Sequence, residues 1–542
     1  MPNASNTSEQ TDSRPRVCMF VYNNFTNDSR VQKEAETLIQ GGYEVTVLAL
    51  LDARTEPHEN RNGINIARIG VNPWHLRLTR LFQAAEQPSP DLNGTKTRLP
   101  SNNTFHDTQK KPSAPYFFIK DRLTYIPRWI AKRDFKGYFS HFSLTIAYIL
   151  LAIGLVRLLY SPELHAVIEQ NEVVIYSILA LLIVFRNPLV SFLRRAKRFM
   201  VNTFRRAKRF MVNTLKNCLM PFHRHFCFLS FYRNAYPATA GQGYAVYHAH
   251  DLNTLPVAWL AARRDRAGLV YDSHELYIER NKLKPSSRLW KFIQRRMEGF
   301  LVRRCDAVFT VNESLADELA RRYKIPRPGV IMNTPARFEK ADLHLLGNSR
   351  LRSELSIPRD KNILLYVGGI TFNRGLEELI ESLTHLPDCC LIYMGYGTDA
   401  YKQSLVELAE KIGVRDRFAF FGPVPSNRVI HYAAGADVGV APIANACLSY
   451  YYCSPNKLFE YMNAGLPVIA SNFPELEKVV LGHHIGLTFD PADPQDIART
   501  ARQILDNPQL ADTMRKNALE ASGQYNWGNE ARKLLAIYKQ CE

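Results

Sequence analysis

Short apolar runs alternate with helical stripes near both ends of the chain, and the alternation predicts two lobes built on parallel sheets. Val17–Tyr22 is an apolar run, Asn23–Asp28 is turn-rich, and Val31, Ala35 and Leu38 repeat at helical spacing up to Gly41-Gly42. Tyr43–Ala49 reads as the next strand. Runs of this kind suit strands covered on both faces, and residues three to four apart suit helices lying on the sheet. The pattern resumes at Val246–Asp251, Gly268–Glu275, Cys305–Val311 and Gly329–Met332, with helices expected from Leu252 to Leu260 and from Ser314. A second series runs through Asn362–Val367, Leu391–Met394, Phe418–Phe421, Asp437–Val440 and Val468–Ala470. The expected fold class is α/β, with two Rossmann-like lobes. A GxGxxG dinucleotide fingerprint is absent from both.

Between the two parts of the first lobe the periodicity changes. Residues 73–116 are rich in Pro, Asn, Ser and Thr and read as a polar linker. Gly137–Val156 is a run of twenty residues without formal charge, the length that crosses a bilayer. Val173–Phe185, thirteen residues, is too short alone but continues to Leu193 with Arg186 as its one charge. Arg194–Thr203 then recurs as Arg205–Thr214, a period of eleven residues that puts Phe199, Phe210, Met200 and Met211 on nearly one face. These features predict a mainly helical, membrane-associated insertion over 117–243: a hairpin followed by a basic amphipathic segment on anionic lipid. A buried soluble helix is the alternative for each apolar run, and a nucleic-acid arm the alternative for the repeat. Lys and Arg crowd both flanks while Ser161–Glu172 has neither, so the lobes are expected on the cytoplasmic face. The remaining boundaries follow: a disordered leader 1–14; a first lobe of 15–72 and 244–345; a second lobe of 346–525; and a terminal helix, 526–542, crossing back to the first lobe.

The net charge of +18 points to polyanionic partners, and the basic repeat with its apolar flank favours a membrane over nucleic acid. Nine scattered cysteines without CxxC spacing give no metal or disulfide framework.

Candidate chemistry gathers at strand ends. Gly368-Gly369 with Arg374, ahead of a Leu376–Leu383 stripe, lets backbone amides and a guanidinium approach phosphate oxygens. In Ser454–Pro467, Pro455 opens a helix, Leu458, Phe459 and Met462 form its buried face, and Gly465 and Pro467 end it. Asn456, Lys457 and Glu460 then offer a donor, a cation and a carboxylate able to hold a pair of sugar hydroxyls. Asp28 and Arg30 read equally as a helix cap with a surface ion pair or as ligand contacts. The paired His248 and His250 leave a metal reading open.

The Ser454–Pro467 stretch resembles the nucleotide-sugar helix of family 4 glycosyltransferases, retaining enzymes of GT-B fold. "NDSRVQKEAETLIQGGYEVTVLAL", "VYHAHDLNTLP" and "VYDSHEL" resemble the same family. The resemblance implies transfer of a sugar from a nucleoside-diphosphate sugar to a membrane-proximal acceptor, a glycan or glycolipid precursor. It implies no cofactor beyond that co-substrate and no resident metal. By this likeness His250, Arg374 and Lys457 are the catalytic candidates. Gly368, Gly369, Gly395, Gly397, Val424, Asn456 and Glu460 join Arg374 and Lys457 on the donor side, and Asn27, Asp28, Arg30, Asp251, His274 and Glu275 fall on the acceptor side. The family's further Glu, eight residues before Glu460, is Tyr452 here, and its first phosphate cation is Gly369. An epimerase or hydrolase on the same scaffold and a non-catalytic membrane-anchored binding subunit are the alternative functions.

Overall fold

A computed structural model of the chain describes residues 14–76, 172–282, 286–337 and 350–541. Two parallel sheets, one per lobe, dominate it. In the first lobe the strands are β1 (Arg16–Phe20), β2 (Glu44–Leu50), β3 (His58–Arg61), β4 (Ile64–Ile69), β5 (Val246–His250), β6 (Gly268–Ser273), β7 (Ala307–Thr310) and β8 (Gly329–Val330). Their order is β3-β4-β2-β1-β5-β6-β7-β8, parallel throughout except for the β3–β4 hairpin. In the second lobe β9 (Asn362–Val367), β10 (Cys389–Met394), β11 (Phe418–Phe421), β12 (Val438–Ala441), β13 (Val468–Ser471) and β14 (Gly486–Phe489) run in the order β11-β10-β9-β12-β13-β14.

That second order is the 3-2-1-4-5-6 winding of a Rossmann sheet, and the first lobe repeats it through β4-β2-β1-β5-β6-β7. The order in which strands are added reverses between β1 and β5 and again between β9 and β12. Ligands bind in such sheets at the carboxyl ends of the strands flanking the reversal. In both lobes those ends carry the candidate residues.

Each sheet is covered on both faces. The second lobe splits its core into one cluster around Leu365, Phe459 and Tyr461 and another around Leu364, Tyr393 and Ile497. The first lobe has the same arrangement, one side around Tyr247 and Tyr271 and the other around Val47 and Phe309. The helix Trp527–Tyr538 returns to this second side, where Leu534 and Tyr538 are fully buried. There the Tyr538 hydroxyl meets His248 Nδ1 at 2.8 Å.

One boundary moves. His223–Ala238, assigned above to the insertion, is a helix whose Phe231 and Ala235 lie in the first-lobe core. Phe231 packs edge-on to Tyr22 just past β1. The low amphipathic contrast of "HRHFCFLSFYRNAYPA" conceals this from a periodicity reading.

The basic repeat lies in one helix, Glu172–Leu219, which forms part of a separate compact unit. Among the described residues no helix is long and apolar enough to cross a membrane. Gly137–Val156, the expected first span, lies outside the described residues, as do the leader up to residue 13 and most of the polar linker.

Candidate active site between the two lobes

On the first lobe, β1 runs into a turn in which Phe25 N–H donates to Asn23 Oδ1 at 2.8 Å and Phe25 takes a left-handed φ of 52°. Asp28 caps the helix Ser29–Gln40, accepting from Val31 N–H at 3.2 Å and from Asn23 Nδ2 at 2.8 Å. The capping reading of Asp28 thus describes its contacts. Arg30 does not form a surface pair: it is buried, and its guanidinium grips Asp272 bidentately at 2.8 and 3.0 Å while donating to the Ile331 carbonyl at 2.9 Å.

Asp272 organises the whole wall. His274 Nε2 lies 2.8 Å and His250 Nδ1 3.5 Å from its Oδ2, and the two imidazoles are 3.1 Å apart. Asp251, strained at a φ of 63°, accepts the His274 backbone N–H at 3.2 Å. Burial opposes ionisation of Asp272, yet Arg30 and His274 hold it well below the usual carboxylate range. Burial would lower His274, but Asp272 and Asp251 outweigh it and push the imidazole up to about 10. Burial lowers both His248 and His250. It raises Glu34 to about 8 against the pull of Arg30.

Glu34, His248, His250 and Asp272 bring one ligand atom each within 4.8 Å of the others, a spacing that fits a metal ion. His248 Nε2, His250 Nε2 and Glu34 Oε2 lack hydrogen-bond partners, while Glu34 Oε1 lies 3.0 Å from Arg30 Nε as an ion pair. A cation there would compete with Arg30 and His274, which already occupy Asp272, so the donor set is poorly matched to a divalent ion.

The open cleft beside this network has a volume of about 630 Å³. Its first-lobe lining includes Asn27, Asp28, Arg30 and His274, and Ser454 and Asn456 come from the second lobe. His274, rather than His250, lines the space; His250 is 3% exposed. Glu275 faces the second lobe, 3.4 Å from Ser449 Oγ, and burial raises it to about 7.

On the second lobe the wall is built around a glycine loop. Gly368 takes φ of 132° after β9 and hydrogen-bonds through its N–H to the Met394 carbonyl. A Cβ on Gly395 would fall 1.9 Å from the Gly368 oxygen, and one on Gly397 2.5 Å from that of Ile370. Gly395 and Gly397 therefore let this loop settle on the exit of β10. Val424 is half-buried against the lobe core.

Lys457, buried on the helix Asn456–Asn463, places its ammonium 3.7 Å from the Tyr366 ring centroid and within 3.7 Å of the Cβ position of Gly368. The Arg374 guanidinium lies 4.7 Å from the Tyr450 ring centroid, and its buried Nε has no hydrogen-bond partner. Among the described residues no carboxylate pairs with either cation. Burial, with Arg374 adding to it, drives the Lys457 pKa well below its ordinary value. One turn on, burial raises Glu460 to about 7 while Lys457 and Lys33 oppose the shift.

Lys33 escaped the sequence reading. It comes from the first lobe, donates to the Thr334 carbonyl at 2.6 Å, and lies 4.7 Å from the Trp527 ring centroid. Its relation to Glu460 exists only once the lobes meet, so no local pattern marks it. The aromatic platforms Tyr366 and Tyr450 were missed because each meets its cation only once the second lobe has folded.

Tyr452, which stands where the family pattern has Glu, packs against the first-lobe core, and its carbonyl accepts from Asn312 Nδ2 at 2.6 Å. Asn281 adds a second tie across the seam, donating to the Tyr450 hydroxyl at 3.2 Å and accepting from Asn373 at 3.0 Å.

This construction has clear counterparts. Residues 348–521 match the family model for glycosyl transferases group 1, and residues 203–333 match that for Glycosyltransferase Family 4. The chain is a glycosyltransferase. It is 26% identical over 314 residues to D-inositol 3-phosphate glycosyltransferase of Xylanimonas cellulosilytica, an alignment spanning 55% of this chain and 72% of that protein. It is 27% identical over 317 residues to the enzyme of that name from Corynebacterium efficiens, again 55% and 72%. A solved sucrose-phosphate synthase from Thermosynechococcus elongatus superposes with a TM-score of 0.59 at 17% identity, covering 97% of this glycosyltransferase and 99% of that chain. That likeness speaks for the two-lobed GT-B-like fold alone. As a glycosyltransferase the chain is an enzyme, which removes the non-catalytic binding subunit from the alternatives.

Proposed function

We propose that this glycosyltransferase moves a sugar from a nucleoside-diphosphate donor to a membrane-proximal acceptor, with retention of anomeric configuration. The observation that carries the reading is the pair of cations, Arg374 and Lys457, held at the glycine loop with no carboxylate within ion-pair distance among the described residues. An unpaired buried ammonium is costly in an empty protein, and a diphosphate would supply the missing counter-charge. Glu460, on the next turn, is in position to accept hydrogen bonds from ribose hydroxyls once ionised.

Chemistry on this reading is electrostatic. As the bond from the anomeric carbon to the diphosphate oxygen breaks, negative charge grows on the departing diphosphate. Arg374, Lys457 and the amides of Gly369 and Asn456 would stabilise it, which requires no divalent cation. His274 would face the sugar and the incoming hydroxyl, with His250 behind it in contact with its ring. The acceptor is taken to be a glycan or glycolipid, and the amide-rich cleft wall suits hydroxyl groups.

A membrane-side location, with both lobes on the cytoplasmic face, is supported by charge. From Val173 to His250 the chain has twelve Lys and Arg residues and no Asp or Glu. Product analysis with radiolabelled UDP-, GDP- and ADP-sugars and a membrane extract tests the proposal. One donor should label a lipid-extractable or polymeric product, with little release of free sugar when the extract is omitted. Release of free sugar independent of any acceptor would make the enzyme a hydrolase instead.

A further inference from the structure

The helix Arg288–Val302 turns its polar side inward. Gln294 and Glu298 are buried, and Glu298 accepts hydrogen bonds from the hydroxyls of Tyr271 and Tyr323 at 2.9 and 2.6 Å. Its outer side is apolar: Leu289 is 69% exposed, Phe292 57% and Phe300 45%, with Ile293 and Met297 between them. These five follow the i, i+3, i+4 spacing that makes one continuous face, so the helix presents to solvent the stripe that ordinarily faces a core.

Cations surround that face. Arg288, Arg296, Arg303 and Arg304 are all exposed. The Arg304 guanidinium lies 3.5 Å from the Phe300 ring centroid and that of Arg296 5.6 Å from Phe292. On the adjoining helix Leu255–Asp265, Leu260 is 44% exposed, and Arg263 stacks at 5.7 Å on Trp259, which touches Phe300. Within Arg288–Val302 no exposed carboxylate interrupts the stripe, since its one acid, Glu298, is buried, and the nearby Glu279 is paired with Lys291 and Arg295.

We infer that this face docks the first lobe onto an anionic lipid surface. Aromatic rings would enter the headgroup boundary while the arginines bind lipid phosphates. A second, independent observation points to the same occupant. In the separate helix Glu172–Leu219, Phe199, Phe204 and Phe210 are 72%, 68% and 74% exposed among the repeated Arg and Lys residues. The same rare surface composition therefore occurs twice in one chain, once on the catalytic body itself. The inference goes beyond the membrane-side location above by assigning a surface on the first lobe, and it stands whether or not sugar is transferred.

The test is sedimentation of the full chain with vesicles of phosphatidylcholine alone or mixed with phosphatidylglycerol. The unmodified protein should bind the mixed vesicles and release from them in high salt. Replacing Phe292→Ser, Phe300→Ser and Arg296→Ser together should lower partitioning roughly a hundredfold with the basic repeat intact. The melting temperature and nucleotide-sugar binding should stay unchanged, because the three side chains are exposed and far from the donor loop in the chain. The conservative variant with Phe292→Trp and Phe300→Trp should keep partitioning. Equal vesicle binding by the triple-Ser variant overturns the inference. So does a concentration-dependent dimer that the triple-Ser variant dissolves without any effect of lipid, since the face would then join two copies of the chain.

Discussion

The two walls of the cleft treat charge in opposite ways. On the first lobe the charges around Asp272 neutralise one another: Arg30 and His274 share Asp272, Arg30 also meets Glu34 at 3.0 Å, and Asp251 supports His274. On the second lobe Arg374 and Lys457 rest on tyrosine rings, and among the described residues no carboxylate lies within ion-pair distance of either. A closed network resists change and offers little to an ionic ligand, whereas unpaired cations are costly until an anion arrives. One wall is a rigid, internally neutralised support. The other, on the function proposed above, is an anion receptor waiting for its counter-charge.

Breaking the first wall should have the largest effect. Asp272→Ala strands Arg30 and His274 in the interior, and we expect a loss of about 3–5 kcal/mol in urea unfolding. If stability falls by less than about 1 kcal/mol, the network is not the closed unit described.

The second wall should respond in function and not in stability. Lys457→Met and Arg374→Ala should each cut kcat for sugar transfer by about a hundred- to a thousandfold. The melting temperature should hold or rise slightly, because an unpaired buried cation has gone. A fall in melting temperature with activity preserved would reverse the assignment.

Gly395→Ala probes the loop that shapes this wall. The added methyl would meet the Gly368 oxygen at 1.9 Å, so the loop must shift. We expect a cost of about 1–3 kcal/mol together with weaker nucleotide binding, measured by unfolding and calorimetry. Unchanged binding would separate the loop from the site.

Smaller effects follow pH. His274 is raised to about 10 in the folded chain, so it contributes stability that is full below about 6.5, the ordinary imidazole value, and is lost as pH rises towards 10. Unfolding curves between pH 6 and 10 should show this decline, and His274→Gln should flatten it. Glu460, near 7 without ligand, must ionise to accept from ribose, so donor affinity should rise modestly as pH passes 7. Glu460→Gln should remove that dependence, and a persisting dependence would place it on another group.

Much of this contrast was legible in the chain, for a physical reason. Strands buried on both faces leave unbroken apolar runs, so β1, β2, β9 and β13 were readable, while their order in the sheets was not. The glycine loop, Arg374 and the helix carrying Lys457 and Glu460 were visible because each combines a local turn signal with a chemical group. What stayed hidden depends on distance along the chain. Arg30 and Asp272 are separated by 242 positions, and Lys33 meets Glu460 only across the lobes. His223–Ala238 hid in the insertion because nearly all its faces carry aromatic or basic residues. The exposed stripe of Arg288–Val302 has the periodicity of a core-facing helix, so pattern alone cannot reveal that it faces outward.

The central claim is that Arg374 and Lys457 form a receptor for a diphosphate. Calorimetry with UDP, GDP and ADP on the unmodified chain, on Arg374→Ala and on Lys457→Met tests it directly. The account predicts that at least one nucleotide binds the unmodified chain, and that each variant weakens it at least about tenfold, roughly 1.4 kcal/mol, with the fold intact. Equal affinity in all three proteins, or no affinity for any nucleotide in the unmodified one, would contradict it.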